Sequence, residues 1–396
     1  MTKCKSSISM DENKGRVAIV AVGYNRLNSI TRLLDSLTKA SYDCENVPLI
    51  ISIDASGNQE LYDKVSNFEW PYGDLYVNIQ SERLGLKQHI FSCMDMSRHF
   101  RAVIILEDDI YVAPQFYNYT LAALAAYEHD SKVCGIALYS IARNGYVGLP
   151  FTPMHNGSDV YLHQDVCTWG ECLTYSMWHP FRQWLEANES RTYEEIEMPL
   201  EIKQWKRAWS KYYYAYMLEH NKAFVTPYIS YTTNFSDSGE HGDMTNVAQV
   251  PIQWGERREY AMPSSDLLVA YDAYYNNTAI YAALGLKPEE LTLDLYGNND
   301  LYLSRRYVLT TRALPFKIEK EFNLSFYPIE VNVLQNVAGQ GIRLYDTTTK
   351  CLCAKSEKLQ YNYLKYYLGL NNHRLLLKYI LEYCFRALCR RLKIKR

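Results

Sequence analysis

The chain has 396 residues, 48% of them apolar and 22% charged, which is enough to bury a sizeable core and excludes a disordered, collagenous or disulfide-stapled chain. Its ten cysteines contain no C-x-x-C pair and no signal peptide opens it, so reduced thiols and a cytoplasmic location are expected. The net charge of −2 hides an asymmetry, because residues 371–396 carry eight Lys/Arg and one acid; no run of about 18 apolar residues exists to span a membrane, and nothing points to nucleic acid.

Residues 16–22 form a short β-branched run, after which Asn28 precedes Ile30, Leu33, Leu34 and Leu37 at helical spacing. This predicts a strand, a loop, an N-cap at Asn28 and an amphipathic helix. The pattern repeats with a strand over Val47–Ile53, a polar loop over Asp54–Asn58 and a polar helical stretch before Leu75–Gln80. Gly85–Phe100 then reads as a helix leading into Ala102–Leu106, an apolar strand that ends abruptly in Glu107-Asp108-Asp109. Alternating βα units with buried strands predict an α/β fold, a mostly parallel sheet covered by helices. Ligands bind beyond the carboxyl ends of such strands, where the loops at Tyr24–Asn28, Asp54–Asn58 and Glu107–Asp109 all emerge. After about residue 130 the alternation weakens; residues 262–300 read as helical and Tyr-rich, and 301–350 as mixed strands and turns.

Three carboxylates in a row at the end of a buried strand raise one another's pKa unless a positive charge sits among them. A hard divalent cation, Mg²⁺ or Mn²⁺, suits oxygen ligands and commonly binds through one or two carboxylates plus substrate phosphates. The segments VAIVAVGYNR, IISIDASG, GLKQHIF and VIILEDDIYVAPQFY resemble the successive nucleotide-sugar motifs of GT-A fold glycosyltransferases, closest to the N-acetylglucosaminyltransferase I-like group. The resemblance covers roughly residues 16–245. It implies a Rossmann-like GT-A domain over 14–262, a hexosyl- or N-acetylhexosaminyltransferase activity, a UDP-sugar donor and Mn²⁺ or Mg²⁺. It places Asp54, Arg26 and His89 near the uracil, Glu107 near the donor sugar, Asp108 near the ribose and Asp109 on the metal. Ser238-Gly239-Glu240-His241-Gly242 resembles the glycine-bracketed loop that orders over the donor, with His241 beside it.

The resemblance breaks at the base. An inverting transferase needs a carboxylate to take the proton of the attacking hydroxyl, and the residue in register, behind Trp209, is Lys211. Lysine does not replace a carboxylate there. Glu171, on the expected acceptor side after Trp169-Gly170, is the first substitute, followed by Asp237 and Glu240. Trp205, Trp209, Tyr212, Tyr213 and Tyr216 read as a core stripe.

A glycan or lipid-linked acceptor in surface polysaccharide or glycoconjugate synthesis fits this reading. The alternatives are a non-catalytic sugar-nucleotide-binding protein, favoured by Lys211, and a sugar nucleotidyltransferase, for which Val22–Arg26 is too poor in glycine and lysine. Residues 263–370 form a C-terminal extension. The tail, 371–396, reads as a basic amphipathic helix in which Leu375, Leu376, Tyr379, Ile380, Tyr383, Leu388 and Leu392 share a face. Arg386, Arg390, Arg391, Lys393, Lys395 and Arg396 add positive charge suited to the anionic inner face of a membrane.

Overall fold

The computed structural model describes residues 13–188, 190–206, 208–237, 248–257, 259–351 and 373–391. Strand β1 (Val17–Gly23) leads to helix α1 (Leu27–Thr38), β2 (Leu49–Ile53) to α2 (Gln59–Ser66), and β3 (Leu75–Ile79) to α3 (Leu86–Asp95). Next come β4 (Ala102–Glu107), the short β5 (Ile110–Val112), α4 (Phe116–Tyr127) and β6 (Val133–Ala137). A small ribbon of β7 (Arg143–Asn144) and β8 (Leu149–Pro150) precedes β9 (Val160–His163), β10 (Glu171–Thr174), α5 (Tyr175–Ala187), α6 (Leu200–Gln204) and α7 (Ser210–Glu219). Strands β11 (Ala223–Pro227), β12 (Thr232–Asn234) and β13 (Ala270–Tyr271) follow.

Among the described residues one nine-stranded sheet has the order β13-β9-β11-β6-β10-β4-β1-β2-β3. Parallel pairs predominate: β1 with β2 and with β4, β2 with β3, β6 with β11, and β9 with β13. Strand β10 runs antiparallel between β4 and β6, and β9 antiparallel to β11. All seven residues of β1 are buried, as a strand covered on both faces requires. One cover is α1, which turns Ile30, Leu33, Leu34 and Leu37 inward; each such side chain contributes about 1.5–3 kcal/mol of burial. The pairing Val22↔Glu107 brings the end of β4 level with the end of β1. The carboxyl ends of β1, β2, β4, β6 and β11 therefore share one edge, where antiparallel β10 begins at Glu171.

Helix α1 starts one residue before the expected cap: Arg26 holds the N-cap position without a side-chain cap bond, and Asn28 lies in the first turn. Residues 262–300 also differ from the helical expectation. Only α8 (Ala279–Leu284) is α-helical there, ended by Gly285 in the left-handed region at φ +66°. The competitor is local side-chain bonding, since Asp272 Oδ1 accepts the backbone N–H groups of Tyr274 and Asn276 at 2.9 and 2.8 Å. Strands β14 (Leu291–Asp294), β15 (Tyr307–Thr310), β16 (Phe316–Phe322) and β17 (Ile342–Lys350) form a second sheet in the order β14-β15-β17-β16. Its Leu291, Leu293, Leu309 and Ile342 share a core with Tyr161 of β9 and Tyr271 of β13. Tyr271 also donates a hydrogen bond to buried Glu330, just before α9 (Val331–Leu334).

The tail contains α10 (His373–Arg391), along which Leu377, Tyr379, Ile380, Leu381, Tyr383, Phe385 and Leu388 are exposed. Leu392, Lys393, Lys395 and Arg396 lie outside the described residues, as do the side chains of Leu375, Arg386, Arg390 and Arg391. No helix among the described residues is long and apolar enough to cross a membrane.

Candidate active site

Asp108 and Asp109 occupy the turn between β4 and β5, and Arg26 reaches them from the loop between β1 and α1. Its Nε donates to Asp108 Oδ2 at 3.2 Å, its Nη2 to Asp108 Oδ1, and its Nη1 to Asp109 Oδ2 at 3.3 Å. The same Nη1 donates to the Asp237 carbonyl at 2.9 Å. Strand β12 pairs with β5 in register Asn234↔Ile110, so Asn234 Nδ2 donates to Asp109 Oδ1 at 3.2 Å and the Phe235 N–H to the Asp109 carbonyl at 2.9 Å. Beyond it, Asp237 Oδ2 accepts from Ser29 Oγ at 2.7 Å and from Arg32, whose guanidinium lies 3.9 Å from the centre of the Phe235 ring.

Charge and burial compete throughout this cluster. Burial raises the carboxyl pKa of Asp108 to about 6 and that of Asp109 in the same direction, while Arg26 pulls both down. Burial together with Asp109 and Asp108 lifts Glu107 to about 8. Burial opposes the charge on Arg26, but Asp108 and Asp109 outweigh it and hold the guanidinium above its ordinary value. Asp237 shifts the other way: burial works against its charge, and hydrogen bonds from Arg32 and Ser29 prevail to keep it ionised.

Two of the residues expected at the uracil sit near each other, Asp54 just after β2 and His89 in α3. Asp54 is 3% exposed, and its Oδ1 accepts from the Ala55 and Leu84 N–H groups at 2.9 and 2.8 Å and its Oδ2 from Gly85 N–H at 2.9 Å. Gly85, at φ +76°, supplies a backbone shape that a side chain disfavours. His89 is buried one helical turn on, its Nε2 2.8 Å from Ser52 Oγ. Burial lowers its pKa, against the pull of Asp54, which favours the neutral ring. Arg26, expected with them, is instead engaged by the acidic turn, because two carboxylates attract it.

Glu171 is the larger correction. Rather than facing an acceptor, it lies inside the sheet at the start of β10, paired with Ile105 and 2% exposed. Its Oε2 has no hydrogen-bond partner among the described residues. Burial, then Glu107, pushes its pKa well up, which favours the protonated form, the form unsuited to accept a proton. Gly170, at φ +100°, enforces the tight entry, since a Cβ there would stand 2.9 Å from Thr232 Cγ2. Trp169 remains 37% exposed at this edge, its ring edge-on to Tyr139 at 4.7 Å. Lys211 has a local duty, donating its Nζ to the carbonyls of Lys203 and, at 3.3 Å, Trp205. Trp209, Tyr213 and Tyr216 are core residues, whereas Trp205 is exposed. Glu240 and His241 lie outside the described residues.

The sequence reading missed Ser29, Arg32 and Asn234. Ser29 and Arg32 sit three apart on α1, so they share a face, a signal hidden by attention to the apolar stripe. Among the described residues no group of three or more His, Cys, Asp or Glu side chains forms a metal cage. The donor set fits a cation that needs only one or two carboxylates and completes its shell with phosphate and water: Asp108 and Asp109 offer hard oxygens on one turn.

No protein-family model matches the chain, and no curated protein matches it. Among solved structures, S. aureus TarS 1-349 in complex with UDP-GlcNAc is similar at TM-score 0.39 and 16% identity, over 59% of this chain and 61% of that one. GalNAc-T7 with UDP, GalNAc and Mn²⁺ is similar at TM-score 0.38 and 15% identity, over 55% and 43% of the two chains. The mannosyltransferase PcManGT from Pyrobaculum calidifontis, in complex with GDP-Man and Mn²⁺, follows at TM-score 0.30 and 15% identity, over 47% and 50%. The chain thus spans less than two thirds of each of these proteins, and likenesses this distant decide nothing about activity.

Proposed function

We propose that the chain is a metal-dependent, inverting glycosyltransferase that moves a sugar from a UDP-sugar to a glycan or lipid-linked acceptor in surface polysaccharide or glycoconjugate synthesis. The observation that carries this reading is the meeting, at one sheet edge, of Asp108 and Asp109 with Arg26, Arg32, Asn234 and Asp237. A divalent cation held by Asp109, with Asp108 beside it, would stabilise charge on the leaving diphosphate. Arg26 and Arg32 are planar forks suited to phosphate oxygens. Asp54 and His89 brace the floor on which the uracil is expected to rest. Asp237, kept ionised by Arg32 and Ser29, takes the proton from the acceptor hydroxyl in place of Glu171.

A second reading, a non-catalytic sugar-nucleotide-binding protein, is favoured by the local bonding of Lys211 at the position expected for the base. Thermal-shift measurements and donor hydrolysis across a panel of nucleotide sugars, with and without Mn²⁺, separate the two. A ligand that binds only the native state raises apparent stability. The transferase reading expects UDP-linked donors to do so with the cation and to be slowly hydrolysed, with both effects lost in Asp109→Asn. Binding without hydrolysis supports the second reading, and a panel that leaves stability unchanged refutes both. The exposed apolar residues of α10, followed by Lys393, Lys395 and Arg396, support peripheral attachment to an anionic membrane, each basic residue contributing roughly 1 kcal/mol.

A further inference from the structure

Every carboxylate oxygen of the Asp108-Asp109 turn already accepts a hydrogen bond. Arg26 takes both oxygens of Asp108 and Oδ2 of Asp109, and Asn234 takes Asp109 Oδ1. A divalent cation cannot join Asp109 beside this guanidinium at no cost, because two positive centres would then share one small pair of carboxylates. Asn234 is held by the β5–β12 pairing. Arg26 is better placed to leave, since it stands at the N-cap of α1 between strand and helix, with φ −105° and ψ 84° and a side chain 26% exposed. A nucleoside diphosphate offers it an equivalent bidentate anionic partner.

We propose that Arg26 is an internal counter-cation for the acidic turn, and that a diphosphate arriving at the site draws it away and opens Asp109 to the metal. Cation and nucleotide then bind cooperatively, each raising the affinity for the other. The cation half rests on the reading of Asp109 as the metal ligand and on the contacts of Arg26, while the nucleotide half rests on the transferase reading above. The arrangement also keeps Asp108 and Asp109 partly neutralised in the chain that has yet to meet its donor.

Equilibrium dialysis of the full chain against Mn²⁺, with UDP absent or at equal free concentration in both compartments, measures both halves. Arg26→Gln is expected to bind Mn²⁺ alone at least about fivefold more tightly than wild type. Arg26→Lys, which keeps the charge but loses the fork, should fall between them. UDP should tighten wild-type Mn²⁺ binding within the range of roughly 5–150-fold usual for coupled sites, and much less in Arg26→Gln. Asp109→Asn should lose Mn²⁺ binding in every arm. Should Arg26→Gln fold poorly by circular dichroism, Arg26→Lys carries the comparison. Equal or weaker Mn²⁺ affinity in both Arg26 variants overturns the role of Arg26, even if UDP and Mn²⁺ bind together. Stronger Mn²⁺ binding in the variants with UDP bound by none of the proteins leaves the counter-cation standing and overturns the nucleotide half together with the transferase reading.

Discussion

Replacing Glu171 by Gln tests the position of the buried carboxyl most directly. The side chain is 2% exposed, its Oε2 lacks a partner among the described residues, and burial with neighbouring Glu107 moves its pKa well above the ordinary 4.5. A carboxyl whose pKa is higher folded than unfolded binds its proton more tightly in the native state. Its contribution to stability is therefore complete below about 4.5 and is lost as pH rises toward the folded value. The loss has a limiting slope of about 1.4 kcal/mol per pH unit for one proton. Glutamine stays neutral, so Glu171→Gln should gain on wild type as pH rises from about 5 to about 8, by no more than that limiting slope. Urea unfolding at a series of pH values, in chelator and followed by circular dichroism, measures the gap. Curves that stay parallel over this range, or a variant that loses ground as pH rises, would refute the burial argument. Donor turnover gives a second reading: it should stay within a few-fold, and a drop of about 10²–10⁴-fold would return the role of base to Glu171.

Asp54→Ala strands the N–H groups of Ala55, Leu84 and Gly85, so stability should fall by about 1–3 kcal/mol and UDP affinity with it; unchanged unfolding and UDP titrations would remove Asp54 from both duties. Asp237→Asn should reduce transfer by about 10²–10⁴-fold while UDP binding measured by calorimetry persists, and near-normal turnover would shift attention to Glu240. Truncation after Asn371 should abolish salt-sensitive binding to anionic liposomes, as read by co-sedimentation, while donor hydrolysis continues. Equal sedimentation of intact and truncated chains would exclude the tail as an anchor.

The βα alternation of the first half and the placing of an acidic turn at a strand end were determined by the sequence itself. An apolar period of two or of 3.6 commits each segment locally, and a parallel strand ending in charge must end at an edge. The same reasoning failed at 262–300, where side chains such as Asp272 bond the backbone and displace the helix that the apolar content suggests. Only the tertiary structure decided which way Glu171 faces, because the antiparallel insertion of β10 between β4 and β6 is a long-range pairing that leaves no periodic mark. It also decided the company of Arg26, whose partners stand 82, 83 and 211 residues away. Contacts at such separations arise from the register of one strand on another and the turn of a helix over a sheet edge. Charge then chooses, among the side chains brought within reach, the carboxylates that a local reading had assigned to other ligands.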